Sequence, residues 1–422
     1  MNAEIVSTGT EVVSGRIADT NAAWLSARLE EMGIPVRFHQ AAGDRVEDIR
    51  SALTTAIGRS DLIIVTGGLG PTADDLTRYA VADCGGCDLE LDEPSLERIR
   101  QMYFQRSIAM PPSNSRQAMF PKGCRIVRND VGTAPGFAME IGPARIIVMP
   151  GVPSEMKYMW TNVVAPMISG FFKLEKARRK RFINVYGVPE SAVGQVVEKH
   201  MQRDSNPEAG VTVDWGAVTI SLCATAEDDS SAEAMLDKVE AEVRAALGDS
   251  VISNDGRDLP QALVGMMKEE GFTLALAESC TGGMAASLIV SVPGASDVLL
   301  ACYVTYSNEA KVRTLGVPED LLKQHGAVSE PVALAMASGA RAASGADVGV
   351  GITGIAGPDG GTEQKPVGLV FAAVDIRGDC RCKELHMRGD RDTIRGRSAK
   401  TALDILRRRL LELGERTCGC RR

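Results

Sequence analysis

Apolar residues recur along this chain with two different periods, and the alternation between them sets the expected architecture. "AEIVSTG" opens the chain as a strand, and "NAAWLSARLEEMG" then places Leu25, Leu29 and Met32 on one helical face with Gly33 as the stop. "DLIIVTGG" and "ARIIVMPG" are unbroken apolar runs ending in glycine, the pattern of strands buried on both faces. Together they predict an α/β domain over 1–170. Over 174–254 the texture changes to strand (RFINVYGV), helix (ESAVGQVVEKHM), strand pair (GVTVDWGAVTISLCAT) and charged helix (SSAEAMLDKVEAEVRAALG). That order predicts a small α+β module, read as a spacer or dimerisation domain because it carries no cluster of catalytic side chains. Over 257–416 the α/β alternation returns, from the helix "LPQALVGMMKEEG" to a final basic helix "SAKTALDILRRRLLEL".

Composition changes this picture mainly by exclusion. A length of 422 residues allows several domains with sizeable cores, and a net charge of -8 provides no global basic field for nucleic acid. The longest basic run, Lys176 to Arg181, reads as a solvated link between domains. No window approaches the apolar length of a membrane span and no leader pattern follows Met1, so the expectation is a cytoplasmic protein. Of the ten cysteines, Cys84/Cys87, Cys380/Cys382 and Cys418/Cys420 are close pairs, while Cys124, Cys223, Cys280 and Cys302 stand alone. One CxxC without a second does not make a zinc ribbon, and reduced, structural thiols are expected.

Two clusters carry candidate chemistry. The first is "VTGGLGPTADDLT", residues 65–77, which follows a buried strand. Gly67, Gly68 and Gly70 let a ligand approach the backbone, and Pro71 suits a first helical turn. Asp74 and Asp75 read either as acids in the first turn of a capped helix or as ligands of a divalent cation bridging to phosphate. No GK[ST] follows, so this is not a Walker loop, nor is it a GxGxxG dinucleotide fingerprint. The loop-rich segments 9–21, 111–123 and 129–137 are expected around the same pocket.

In order, GTE, DTN, TGGLGPTADDLT, NSRQA, GTAPGF and PGVPSEM resemble the N-terminal domain of the CinA family, related to the molybdopterin-binding MoaB/MogA fold. The resemblance implies metal-dependent hydrolysis of ADP-ribose and similar nucleotide diphosphates. It places Asp74 and Asp75 at a divalent metal such as Mg²⁺, Gly68, Gly70 and Thr72 near phosphate, and Glu11, Asp19 and Asn21 along the cleft. A pterin-type ligand is the alternative.

The second cluster is "AESCTGG", residues 277–283, where Ser279 and Cys280 stand together at a strand-to-helix turn. Ser279 and Thr281 read equally as helix N-caps and as catalytic groups. A nucleophilic serine needs a base, and of the four histidines His39 and His200 fall in other blocks. His325 and His386 read as helix-end or surface residues. A desolvated lysine is the other solution, and "YVTYSNEAKVRTLGV" offers Lys311 five residues after Tyr306, with Ser307, Asn308 and Glu309 as a turn or cap between them. Taken singly, Tyr306 reads as a half-buried strand aromatic and Lys311 as a solvated helix residue. "GITGIAGPDGG" adds Thr353 and Gly354 at a second glycine turn, and "MRGDRDTIR" brings Arg388, Arg391 and Arg395 close together. Arg391 reads as a phosphate clamp, Arg388 and Arg395 equally as helix-surface residues.

The series AESCTGG, TYSNEAK, HGAVSEP, GITGIAGPDGG, KPVG and GDRDTIR resembles the CinA C-terminal domain, whose stand-alone form is a nicotinamide-nucleotide amidase. The resemblance implies hydrolysis of nicotinamide mononucleotide without a cofactor. Ser279 is then the nucleophile, Lys311 supported by Tyr306 the base, and the backbone of Cys280, Thr281, Gly282 and Gly283 the oxyanion site, with Thr353, Gly354 and Arg391 at the nucleotide. The combined expectation is a bifunctional enzyme of pyridine-nucleotide salvage, its partners small nucleotides rather than nucleic acid or membrane, and a homodimer. The rival readings are a non-catalytic ligand-sensing factor and a molybdopterin-binding protein.

Overall fold

The computed structural model describes residues 1–171, 177–202 and 204–419, the side chains of 415–419 excepted. Lys176 of the basic run, Cys420 and the side chain of Cys418 therefore lie outside the described residues. Two compact units are present, Met1–Arg179 with Ala226–Asp229, and Lys180–Thr225 with Ser230–Arg422.

The first unit is built on a six-stranded sheet. Its order is Val36–Ala42, Ala3–Thr8, Leu62–Thr66, Ala144–Met149, Gly136–Ile141 and Arg125–Val127. The first four strands are parallel, and the last two each pair antiparallel with the strand before them in this order. Their unbroken apolar runs are explained by two cores, one on each face. Leu25 and Leu29 of the helix Thr20–Glu31 pack with Ile5, Leu62 and Ile64. Ile49 and Leu53 of the helix Val46–Ile57 pack with Val6, Ile63 and Val65. From Ala3–Thr8 the chain pairs first on one side and then on the other. The carboxyl ends of Ala3–Thr8 and Leu62–Thr66 thus flank a topological switch point, where open α/β sheets bind ligands.

The second unit joins two sheets. A four-stranded sheet, in the order Glu208–Asp214, Ala217–Ala226, Ala177–Tyr186 and Val251–Ser253, belongs to the middle module with the helices Glu190–Val197 and Asp229–Leu247. A five-stranded sheet follows, in the order Leu299–Val304, Leu274–Glu278, Val348–Gly354, Leu369–Ile376 and Asp379–His386. Its first three strands are parallel, so a second switch point lies between Leu274–Glu278 and Val348–Gly354. Leu263, Ile289, Leu403 and Leu406 cover one face and the helix Glu330–Ser344 packs on the other. Among the described residues no helix is long and apolar enough to cross a membrane.

Two helix boundaries differ from the sequence expectation. No helix starts at Pro71: residues 67–76 form a loop, and the helix runs Thr77–Gly85. The last helix starts seven residues early, at Arg391, and so takes in Arg391 and Arg395 but not Arg388.

Candidate functional sites

The first switch-point crevice is a cavity of about 390 Å³, lined by Thr8, Glu11, Gly67–Pro71, Asp74, Gln117 and Glu155 among others. The glycine loop is there for close packing. Gly68 sits at φ +64°, and a Cβ on it would lie 2.1 Å from Thr77 Oγ1. Asp75 explains why no helix begins at Pro71. Its Oδ1 accepts from the Gly70 N–H (2.7 Å), and its Oδ2 accepts from the Thr72 N–H (2.8 Å) and the Thr72 hydroxyl (2.5 Å). Both oxygens thus latch the loop, and Asp74 is the exposed acid beside it. Beneath the loop Arg78 is 1% exposed and donates to the carbonyls of Leu69 (2.8 Å) and Gly70 (3.4 Å), with burial pulling its pKa down.

Of the remaining expected residues, Glu11 lines the cavity but Asp19 and Asn21 do not. Asp19 caps the helix Thr20–Glu31 by accepting from the Ala22 N–H (2.9 Å). Asn21 donates to the Gly151 carbonyl (2.7 Å) and the Thr66 hydroxyl (3.3 Å), tying together two strand ends. The sequence did not single out Glu155, whose Oε2 accepts from Asn129 (2.6 Å) at the cavity wall. The described residues contain no group of three His, Cys, Asp or Glu side chains placed to cage a metal.

At the second switch point the strand Leu274–Glu278 delivers Ser279, whose N–H is anchored on the Ile352 carbonyl across the sheet (2.9 Å). Ser307 caps the helix Asn308–Leu315 by accepting from the Ala310 N–H (3.1 Å), and that start puts Lys311 on the helix's buried side. Lys311 is 1% exposed, and its Nζ lies 3.0 Å from Ser279 Oγ, 2.8 Å from the Thr305 carbonyl and 3.3 Å from the Tyr306 carbonyl. Burial lowers its pKa. Nζ donates to two carbonyls and the serine hydroxyl; once the amine is neutral, two N–H groups serve the carbonyls and the lone pair faces the serine proton. Tyr306 therefore supports Lys311 through its backbone carbonyl. Its phenol is 64% exposed and accepts instead from Arg391 Nη2 (3.3 Å).

Neither Ser279 nor Thr281 caps the helix Met284–Val290, which begins at Gly283 without a side-chain cap there. Glu278, fully buried, serves that end: its carboxyl accepts from the N–H groups of Gly283 (3.0 Å), Ala285 (3.2 Å) and Ala286 (2.8 Å). The Gly282 N–H is also taken, by the Ser279 carbonyl. The N–H groups of Cys280 and Thr281 face the Cys280 sulfur, where they offset part of the effect of burial on its pKa. Arg395 holds the opposite side of this turn, donating to the carbonyls of Cys280 (3.3 Å) and Thr281 (3.1 Å). Cys280 is 6% exposed and burial pushes its thiol up to about 11, which keeps it protonated near neutral pH.

Arg391 reaches the Gly357 carbonyl (2.6 Å) as well as Tyr306, so these two side chains meet. Thr353 and Gly354 are placed otherwise. The Thr353 side chain is 1% exposed and donates to the Ala327 carbonyl (2.8 Å), while a Cβ on Gly354 would lie 2.6 Å from Val370. His325 ends a helix, its carbonyl accepting from Lys365, and His386 pairs with Glu384.

Family models match all three blocks: "Probable molybdopterin binding domain" over 4–170, "Damage-inducible protein CinA KH domain" over 180–253 and "CinA C-terminal domain" over 257–410. A CinA-like protein of Dictyoglomus turgidum is 41% identical over 413 residues, 98% of this chain and 100% of that relative. The chain belongs to the CinA family. A second CinA-like protein, from Citrifermentans bemidjiense, is 43% identical over 411 residues, 97% of this chain and 98% of its own. A crystal structure of the protein CinA with unknown function from Thermoplasma acidophilum is 37% identical, covers 39% of this chain and 97% of its own, and has a TM-score of 0.37. For this CinA-family chain the fold is a MoaB/MogA-like domain, a KH-like middle module and a CinA C-terminal domain. The KH-like character of 180–253 was not legible as such, because a short α+β unit without a chemical motif has many parents.

Proposed function

We propose that the C-terminal site is a serine–lysine amide hydrolase that converts nicotinamide mononucleotide and water to nicotinic acid mononucleotide and ammonia. The observation that carries this reading is the buried 3.0 Å contact between Lys311 Nζ and Ser279 Oγ. In the forward step Ser279 Oγ bonds to the carboxamide carbon as its proton passes to Lys311 Nζ. The oxyanion forms opposite the N–H groups of Cys280 and Thr281. Lys311 returns the proton to the leaving nitrogen, ammonia departs, and an acyl-serine remains. Water then attacks with Lys311 taking its proton, and Ser279 leaves with that proton restored. Arg391, braced by Tyr306, is the cation for the nucleotide phosphate, a role that the committed hydroxyl of Thr353 does not share.

Ammonia release from nicotinamide mononucleotide is the test. Wild type is expected to turn over, and Ser279→Ala to lose turnover while staying folded. Cys280→Ala is expected to keep most of the rate, since its thiol is buried and protonated. Binding without any ammonia release would favour a ligand-sensing role instead.

For the N-terminal cleft we propose metal-dependent hydrolysis of ADP-ribose or a similar nucleotide diphosphate. Its support is a glycine loop at a switch point, with the Arg78 cation beneath and acids along the wall. The residues fit a Mg²⁺-type ion, which keeps waters and needs only one or two carboxylates together with substrate phosphates. Asp74, with Glu11 or Glu155, would hold it; bound there, the ion would polarise the phosphoryl oxygens. Asp75 shapes the loop. Asp74→Asn is therefore expected to weaken metal dependence with the fold intact, whereas Asp75→Ala lowers the unfolding midpoint of this domain as well. Equal effects on metal affinity and none on the midpoint would overturn the division. Retention of a pterin with no AMP and ribose 5-phosphate formed from ADP-ribose would favour the pterin alternative.

A further inference from the structure

The middle module seats a hairpin tip on the helix that carries Arg391 and Arg395. The strands Glu208–Asp214 and Ala217–Ala226 are joined by Trp215 and Gly216, both at positive φ, +43° and +80°. A two-residue turn of this kind follows the twist of the strands and is met at least cost by Asn-Gly. A bulky aromatic in the first position is an outlier, and such conformations persist only where the surroundings over-determine them.

Here the surroundings are the helix Arg391–Gly419. Its Gly396 is buried under the indole, and a Cβ on Gly396 would lie 2.4 Å from Trp215 Cε3. A helix interior disfavours glycine, so the tip and the helix each carry an unfavourable residue at the point where they meet. Further contacts lock the module to the helix. Lys400 Nζ donates to the Asp214 carbonyl (3.1 Å) and carboxylate (2.5 Å), and lies 5.5 Å from the indole centroid. The phenol of Tyr186 lies 2.8 Å from the Thr401 hydroxyl. The residue next to Gly396 is Arg395, whose guanidinium grips the carbonyls of Cys280 and Thr281.

We propose that Trp215 is a positioning residue for the C-terminal site: seated on Gly396, it fixes the first turns of the helix and hence the Arg395 grip on the Cys280–Thr281 turn. The kinetic part rests on the amide-hydrolase reading above; the structural part does not. The consequence is that a module without catalytic groups sets the aim of the oxyanion N–H groups.

The test uses the full chain with Trp215→Ala, Trp215→Phe and Gly396→Ala. Gly396→Ala displaces the indole from the helix side while raising helix propensity, so a loss there does not come from a weakened helix. Hydrogen exchange over residues 279–286 is expected to accelerate in Trp215→Ala and Gly396→Ala and to return towards wild type in Trp215→Phe. With nicotinamide mononucleotide, kcat is expected to fall about tenfold in the first two, as a displaced donor pair requires. KM should change much less, a split that general loosening would not produce. Wild-type exchange over 279–286 in both variants overturns the proposal, whether or not the wild type releases ammonia. Accelerated exchange with unchanged kcat in an active enzyme overturns its kinetic part.

Discussion

Lys311→Met is expected to lower kcat for amide hydrolysis by roughly 10³-fold or more, the scale of a lost general base that also serves as general acid. Ser279→Ala should cost about as much, and the double variant little more, because the two residues act as one unit. Lys311→Arg should not rescue, since a guanidinium does not give up its proton. The pH profile is the sharper readout. Burial lowers the Lys311 pKa, so the neutral, proton-accepting amine is populated at a pH where an exposed lysine is still charged. Activity should therefore rise with pH along a limb placed below the ordinary lysine value of about 10.4, and the limb should vanish in Lys311→Met. The stability sign is the same. The unfolded chain binds more protons between the lowered and the ordinary value, so this contribution is fully present above the ordinary value. It is lost as pH falls through the lowered one. A limb unchanged in Lys311→Met would remove Lys311 from the proton path.

The contact between Ser279 and Lys311 was legible because its two members sit in local motifs: a strand that runs into glycines, and a polar Tyr-Ser-Asn-Glu cap that starts a helix. Each motif fixes backbone direction by itself, and the sheet then needs only to bring 279 and 311 together. What the sequence hid is of another kind. Glu278 reads as the last residue of a strand, and nothing local says that its carboxyl folds back over the following turn. Arg395 and Cys280 are separated by 115 positions, and periodicity reports faces, not partners. Asp75 read as a metal-facing acid because acids next to a glycine loop do serve metals; the backbone N–H groups five and three residues upstream claim it first. Asp19, Asn21 and Thr353 were similarly polar residues near a loop whose hydrogen bonds turned out to be structural. The strands themselves were plain, since unbroken apolar runs such as Leu62–Thr66 belong to a sheet covered on both faces.

Glu278→Ala is expected to be the most destabilising single substitution at the C-terminal site. It removes the acceptor of three backbone N–H groups, each buried donor left unpaired costing about 1–3 kcal/mol. Set against a total stability of about 5–15 kcal/mol, that loss should be plain in the denaturant midpoint. Glu278→Gln separates shape from acceptor count. Both carboxyl oxygens are in use, Oε2 by Gly283 and Ala285 and Oε1 by Ala286, with the Cys302 thiol 3.6 Å from Oε1. Glutamine keeps one such oxygen and turns an NH₂ on the remaining donors, so an intermediate loss of stability is expected. In both variants the freed N–H groups of Gly283, Ala285 and Ala286 compete for the volume in which the oxyanion forms, and kcat should fall more than KM rises. The charge on Glu278 also adds to the burial that pushes Cys302 up to about 12. Its removal should make that thiol easier to alkylate at alkaline pH, a measurement that needs no turnover. A Glu278→Gln protein with the midpoint, kcat and Cys302 alkylation rate of the wild type would show that the turn holds itself.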